Sequence, residues 1–467
     1  MDITPILNLE KGKPLYVQLY QHIKDEIEVG RMVAGAKLPS IRQLALHLKV
    51  SKNTVETAYQ QLLAEGYIES MPKSGMRVVQ LEEDFPKSQS FSIFPKVKTE
   101  PTKKVLYDFQ YGDIELDSFP LRIWKKYLNE ALYQPSDVLM YGEKQGDYKL
   151  REQICSYLLH SRGIHCQPEQ VLLTAGTQSS MNFLLQILQL QGKTVAMEDP
   201  GYDGVRSVFK LNQCETHAVE LESDGLKLDQ LEKLDTKLVY VTPSHQFPVG
   251  MVMSIQKRLK LLNWAKQHNA FIVEDDYDSE FRYEGQPIPA LKSLDKGEKV
   301  IYLGTFSKSF LPSARLSYIV FPPNLIEKYK DELNIYSQGV SPIIQRAVFL
   351  FMCSGDFDRH IRKMRKLYHE KHRVLLESIK LMMGNRVEVI GEKAGLHILL
   401  RVKNDYYLDL IEKGLKKGVK VYSTKPYWQG ETPFSDDLVL LGFGGLTVEQ
   451  IKDGIRLLSQ AWFSEND

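Results

Sequence analysis

Phe271-Ile272-Val273-Glu274-Asp275-Asp276-Tyr277 and, further along, Val300-Ile301-Tyr302-Leu303-Gly304-Thr305-Phe306-Ser307-Lys308 decide how this chain is read. Each begins as a short apolar run rich in β-branched residues and then turns polar, which is the pattern of a buried strand running into a loop. Val171-Leu172-Leu173-Thr174 and Leu238-Val239-Tyr240-Val241-Thr242 repeat it upstream, with helical patterns between. Strands alternating with helices predict crossover units around a buried, mostly parallel sheet. Ligands of such open α/β sheets sit at the carboxyl ends of the strands. The spacing therefore predicts that the Asp275 carboxylate and the Lys308 amine converge on one rim, with Arg315 nearby.

That pair has a specific use. An aldehyde cofactor needs one lysine held to form a Schiff base. A pyridine ring becomes an electron sink only while its nitrogen stays protonated, which a buried carboxylate secures. Leu172-Leu173-Thr174-Ala175-Gly176-Thr177-Gln178-Ser179 reads as a strand, a glycine turn and a helix start, the usual cradle for a phosphate. Thr305, Ser307 and Arg315 can complete it. A Ser-Lys pair after a strand is by itself usually a loop, and an acidic cluster is usually solvated or holds Mg²⁺. The order and spacing together point to pyridoxal 5'-phosphate.

Upstream, Leu15, Leu19, Ile23 and Ile27 give an amphipathic first helix. Ser40 can cap a short second helix with Ile41, Leu44, Ala45 and Leu48 on one face, and Ser51 a third with Val55, Ala58, Tyr59, Leu62 and Leu63. Gly66 offers a stop. Two short helices about a tight turn form a helix-turn-helix. Tyr67 to Ser70, a turn at Pro72-Lys73-Ser74-Gly75, and Met76 to Val79 read as a hairpin wing. The outward, N-terminal end of the third helix presents Ser51, Lys52, Asn53 and Thr54, the end that meets bases and phosphates in a major groove. Residues 37–77 hold six Lys or Arg against three Glu, so the local field is mildly positive.

The 467 residues carry a net charge of +1, so any nucleic-acid surface must be local. At 43% hydrophobic and 25% charged the chain is ordinary for a globular protein. No apolar run nears the roughly 20 residues of a membrane span. The start, Met1-Asp2-Ile3-Thr4-Pro5, does not read as a signal peptide, so a cytoplasmic location without membrane contact is expected. Cys155, Cys166, Cys214 and Cys353 are scattered and read as free thiols, and no metal site is expected. The expected organisation is a DNA-binding domain over 1–80, a linker over 81–105 with Pro86, Pro95 and Pro101, a large α/β domain over 106–335, and a smaller α+β domain over 336–467.

The run Leu38-Pro39-Ser40-Ile41-Arg42, then Ser51-Lys52-Asn53-Thr54-Val55, Ala58-Tyr59, Leu62-Leu63 and Gly66 closely resembles the winged helix-turn-helix of the GntR family. That resemblance implies contacts to operator DNA by Arg42, Ser51, Lys52, Asn53 and Thr54, with Lys73, Ser74 and Gly75 at the wing. From about residue 106 onward the chain resembles a fold-type I aminotransferase. Tyr240-Val241-Thr242-Pro243-Ser244-His245-Gln246-Phe247-Pro248 and Glu274 to Phe281 are similar to the MocR subgroup, which fuses the two modules. The resemblance implies Lys308 as the Schiff-base lysine, Asp275 as partner of the pyridine nitrogen and Tyr277 as donor to the ring hydroxyl. It implies Gly176, Thr177, Thr305, Ser307 and Arg315 as phosphate ligands. Tyr202 falls where an aromatic residue near the cofactor is expected, with a core tyrosine as the equal alternative. Tyr141-Gly142 with Gly146 matches the loop that reaches a partner subunit, and a homodimer is implied.

Two features depart from that pattern. The arginine that binds a substrate carboxylate falls near Leu440 or at Gly445, and residues 438–446 contain no Arg or Lys. Arg206, Arg401 and Lys425 are the alternatives, unless the effector is not a simple amino acid. Phe247 stands where many aminotransferases have an asparagine. Both departures favour a regulator that senses an amine or amino acid over a working aminotransferase with an accessory DNA-binding module.

Overall fold

The computed structural model describes residues 14–72, 74–81, 105–133, 138–283, 288–326, 328, 339–403, 407–429 and 437–463. Contacts divide the chain into two units, residues 1–101 and 102–467.

In the first unit α1 (Leu15–Glu28) buries Leu19, Ile23 and Ile27, the fourfold spacing that places them on one stripe. α2 (Ile41–Leu48) starts at Ser40, whose hydroxyl accepts from the Gln43 amide while the Gln43 side chain accepts in return from the Ser40 amide. α3 (Lys52–Ala64) starts at Ser51, whose hydroxyl accepts from the Thr54 amide at 3.1 Å. The turn between them runs through Lys49 at φ 53°, a left-handed conformation that ends α2 abruptly. Tyr59 of α3 is buried and donates to the Pro39 carbonyl at 3.0 Å, tying α3 to the segment before α2. β1 (Ile68–Met71) and β2 (Gly75–Val78) pair antiparallel, Ile68 opposite Val78. This is the helix-turn-helix and wing that the sequence predicts.

The second unit holds an eight-stranded sheet in the order β4-β11-β10-β9-β8-β5-β6-β7. In chain order these are β4 (Val171–Thr174), β5 (Thr194–Asp199), β6 (Glu215–Glu222), β7 (Gly225–Leu226), β8 (Leu238–Val241), β9 (Phe271–Asp276), β10 (Val300–Thr305) and β11 (Ser317–Val320). β6, β5, β8, β9 and β10 are parallel. β11 is antiparallel to both β10 and β4, so β4 runs with the parallel set. The C-terminal ends of β4, β8, β9 and β10 therefore share one rim. Val171, Leu173, Tyr302 and Val320 pack into one apolar layer, and Leu172, Val273, Ile301 and Ile319 into the layer on the opposite face, as alternation requires.

One expectation needs correction. The sequence suggests that the strand ends at Val273 and that the acidic run lies beyond it. β9 instead continues through Asp276, and all three carboxylates are buried within it. Burial is tolerated because each has a partner. Glu274 accepts from the Leu291 and Lys292 amides, and Asp276 forms an ion pair with Arg162 at 2.6 Å and accepts from the Tyr302 hydroxyl at 2.6 Å. Asp275, one residue out of phase, points to the other face.

A second, antiparallel sheet in the order β12-β13-β16-β15 comprises β12 (Val387–Ile390), β13 (His397–Val402), β15 (Tyr422–Ser423) and β16 (Leu438–Gly442). The helices Asp356–Met383 and Val448–Phe463 pack on it around Ile398, Leu400, Val439 and Leu441. β14 (Val419–Lys420) pairs parallel with β3 (Tyr107–Asp108), so the start of the unit is tied to its end. Among the described residues no helix is long and apolar enough to cross a membrane. The cysteines are free, but two are not scattered in space: the Cys166 and Cys155 sulfurs lie 3.5 Å apart as a thiol hydrogen bond.

Candidate active site and DNA-reading face

A cavity of about 240 Å³ opens at the shared rim, and Gly176, Thr177, Tyr202, Asp275, Tyr277, Thr305, Ser307, Lys308 and Arg315 all line it. β9 and β10 position the two central groups. Asp275 sits opposite Leu303 in the parallel ladder, and Lys308 follows the end of β10. Asp275 is buried, and its Oδ2 accepts from the Tyr240 hydroxyl at 2.5 Å. Its Oδ1 has no partner. Burial pushes the Asp275 carboxyl up to about 7, against the pull of the Tyr240 hydrogen bond.

Burial likewise pulls the Lys308 ammonium down to about 8, with Asp278 and Asp113 acting the other way. Lys308 Nζ stands 4.2 Å from the centre of the Tyr111 ring. A cation over a ring face is favourable even where water is scarce.

Part of the cavity wall is built from a glycine, an arginine and hydroxyls. Gly176 has φ 116°, and a Cβ there would run into the Arg315 guanidinium. Arg315 donates to the Ala175 carbonyl at 2.9 Å, which aims it across the start of the helix Thr177–Ile187. Thr305 and Ser307 hydroxyls lie 3.0 Å apart, and Ser317 donates to Thr305 at 2.9 Å.

Tyr277 is held from behind. His245 Nδ1 lies 2.9 Å from Asp278 Oδ2 and 3.0 Å from the Tyr277 hydroxyl. When the Nδ1 hydrogen points at the carboxylate, the Tyr277 hydroxyl hydrogen is free for the cavity. Phe247, in the place of the asparagine, packs against Tyr111 and Tyr427 at ring separations of 4.9 and 4.8 Å. Tyr202 is only partly buried and meets Phe247 edge-on at 5.9 Å. Tyr141 is 95% exposed.

The sequence did not single out Tyr111, Tyr240, Asp278, His397 or Asp113. Tyr240 is the one with a usable signal, since it lies on the neighbouring strand. Among the alternative carboxylate receptors, two are already engaged. Arg206 donates to the carbonyls of Pro426, Trp428, Gly201 and Tyr427. Arg401 pairs with Glu388 and Asp437, both at 2.9 Å. Lys425 is exposed and is not part of the cavity wall.

In the first unit Arg42, Ser51, Lys52 and Asn53 are exposed at the starts of α2 and α3, and Thr54 is partly exposed. Ser51 and Thr54 hydroxyls also bond each other at 2.8 Å, so they fix the helix start as well as face outward. Ser74 and Gly75 lie at the wing, where Arg77 donates to the Ser74 hydroxyl at 3.2 Å and to the Gly35 carbonyl at 2.7 Å. Lys73 lies outside the described residues.

Comparison with known families agrees with both halves. Residues 106–432 match the model "Aminotransferase class I and II", and residues 15–78 match "Bacterial regulatory proteins, gntR family". The uncharacterized HTH-type transcriptional regulator YdeL of Bacillus subtilis (strain 168) is 41% identical, over 99% of this chain and 100% of its own. The probable rhizopine catabolism regulatory protein MocR of Rhizobium meliloti is 32% identical, over 98% of this chain and 96% of its own. The multiple substrate aminotransferase from Thermococcus profundus superposes with a TM-score of 0.68 at 25% identity, over 78% of this chain and 92% of its own.

Proposed function

The chain belongs to the aminotransferase class I and II family and carries a gntR-family domain ahead of it, the arrangement of the MocR-type transcription regulators, and we propose that it binds pyridoxal phosphate and senses an amine or amino acid there. The family implies both DNA binding and dependence on that cofactor. The observation that carries the finer reading is Asp275 Oδ1. A buried carboxylate oxygen without a partner, in one cavity with a half-buried lysine, is costly unless something cationic completes it.

The residues fit the group. Asp275 would hold the pyridine nitrogen protonated. Tyr277 would donate to the ring oxygen. Thr177, Thr305, Ser307 and Arg315 would hold the phosphate, beside a Gly176 that leaves no side chain in the way. When bound, pyridoxal phosphate supplies an aldehyde that condenses reversibly with amines and a ring that withdraws electrons. Lys308 would hold that aldehyde, and its nitrogen is the group an incoming amine would replace. The change in occupancy biases the DNA-bound state only as far as the effector prefers one state over the other. The reading includes a cytoplasmic homodimer whose two heads meet two half-sites, with the exposed Tyr141 loop turned to the partner subunit.

Titrating the loaded protein with a panel of amines, while following visible absorbance and operator retardation together, tests this. Coincident changes are expected. Colourless protein after added pyridoxal phosphate would overturn the cofactor reading, and sustained keto-acid formation over many turnovers would favour a working aminotransferase.

A pH dependence follows from Lys308. Only the free amine attacks an aldehyde, and the ammonium is pulled down to about 8. The free fraction therefore climbs about tenfold per pH unit below that value and levels off above it. Capture of added pyridoxal phosphate, read by stopped-flow absorbance, is expected to accelerate from about pH 6 to about pH 8 and then plateau. A rate that falls over that window would contradict the assignment.

A further inference from the structure

Two cations line the cavity, Lys308 and Arg315. On the reading above, which this inference rests on, Lys308 holds the aldehyde and Arg315 the phosphate. Nothing cationic in the described wall is left for an effector's carboxylate. Arg206 directs its two terminal nitrogens at four backbone carbonyls, and Arg401 is neutralised by two acids. Leu440 is fully buried in an apolar cluster with Phe247, Tyr277, Leu399 and Leu438. A guanidinium fork is not replaced by such a side chain.

The remaining position is filled by the opposite charge. A Cβ built on Gly445 would stand 2.8 Å from the Asp113 Cβ and 3.7 Å from its Oδ2. Glycine at 445 thus makes room for Asp113, and a longer side chain there would have to displace it. Gly112, the residue before, would place a Cβ 3.0 Å from Lys308 Nζ. The Gly112 backbone therefore runs directly past the Lys308 amine, and Asp113 follows it just outside the cavity lining. Among the described residues no hydrogen bond or ion pair occupies the Asp113 carboxylate, and the side chain is exposed at this edge.

The cavity wall itself includes aromatic rings. Tyr111 and Phe247 line it, and Tyr427 packs on Phe247. Ring faces accept an alkyl chain or an ammonium but offer a carboxylate nothing. Tyr111 already carries the Lys308 ammonium over its face.

We propose that the pocket selects amines without a carboxylate, aliphatic diamines foremost, with Asp113 facing the distal ammonium and repelling amino acids. Discrimination of this kind comes as much from the repulsive group as from the attractive one. The exchange balances: the effector nitrogen replaces the Lys308 nitrogen on the aldehyde carbon, and the two hydrogens the effector loses are those Lys308 gains. No oxidant or further reactant is needed.

The test compares 1,4-diaminobutane with 4-aminobutyrate, which share chain length and differ at the far end. Each is titrated into the full-length protein loaded with pyridoxal phosphate, and the visible band is followed. Diaminobutane is expected to shift the band at a concentration at least about tenfold lower, and Asp113→Asn to shrink that ratio several-fold. Aminobutyrate acting at the same or lower concentration would overturn the inference, as would a band that neither compound moves. An unchanged ratio in Asp113→Asn would remove the role given to Asp113. Failure of the wild-type protein to form the band at all is a different result, because it overturns the cofactor reading itself.

Discussion

Lys308→Ala is expected to abolish the visible band formed with pyridoxal phosphate and the effector's influence on DNA, while operator affinity without effector stays within a few-fold of wild type. The first half follows from the wall of the cavity, where Lys308 is the one lysine among the described residues. Asp275, Tyr277 and the phosphate ligands would still hold the cofactor noncovalently, so fluorescence or equilibrium dialysis should detect weakened binding while the band from the joined lysine is gone. The second half follows from the division of the chain. The reading face lies in residues 1–101, and the cavity in residues 102–467. Removing an amine inside one folded unit leaves no polar group orphaned in the other. Retardation assays with and without effector, alongside the spectrum, separate the two effects. If Lys308→Ala alone loses operator binding, the two tasks are not divided this way.

The sequence already contained the parts of that argument that rest on local pattern. Ser40 and Ser51 announce two helix starts because capping is a matter of a hydroxyl and an amide three residues on. Asp275 and Lys308 could be placed on one rim because parallel strands of similar length end together. The missing pieces come from pairing across the chain. Arg162 meets Asp276 from far upstream, and that partner is what lets β9 run on through an acidic stretch. The direction of β11 could not be read from its composition, since Ser317 to Val320 is as apolar in an antiparallel strand as in a parallel one.

The same holds within the site. Tyr111 and Asp113 precede the helix-strand alternation altogether. Tyr111 reaches Lys308, with Asp113 two residues on, because β3 is pinned to β14 near the end of the chain. His245 is visible in the motif around Phe247, but its role needs Asp278 and Tyr277 in place. The absence of arginine at Leu440 and Gly445 was legible, whereas the acid beside Gly445 was not. A gap in a motif shows which group is missing; only packing shows what stands there instead.

Replacing Arg42 and Lys52 together by alanine is expected to cut operator affinity by about 100-fold near physiological salt and to flatten its salt dependence by about two units of log K against log salt. Both residues are exposed, one on the first turn of α2 and the other as the first residue of α3. The Ser40 and Ser51 caps hold those first turns in register, and the Tyr59–Pro39 bond fixes α3 against the approach to α2. The two cations are thus presented from ordered backbone, where helix N-termini add their own attraction for phosphate. Each phosphate left without its protein cation keeps about one counterion that wild-type binding releases, so the slope reports ionic pairing independently of affinity. Arg31 supplies the control: it is exposed but engaged with Glu26 at 2.6 Å, and its alanine variant should leave the slope unchanged. Salt slopes equal to wild type in both Arg42→Ala and Lys52→Ala, each measured singly, would move the interface off the α2–α3 face.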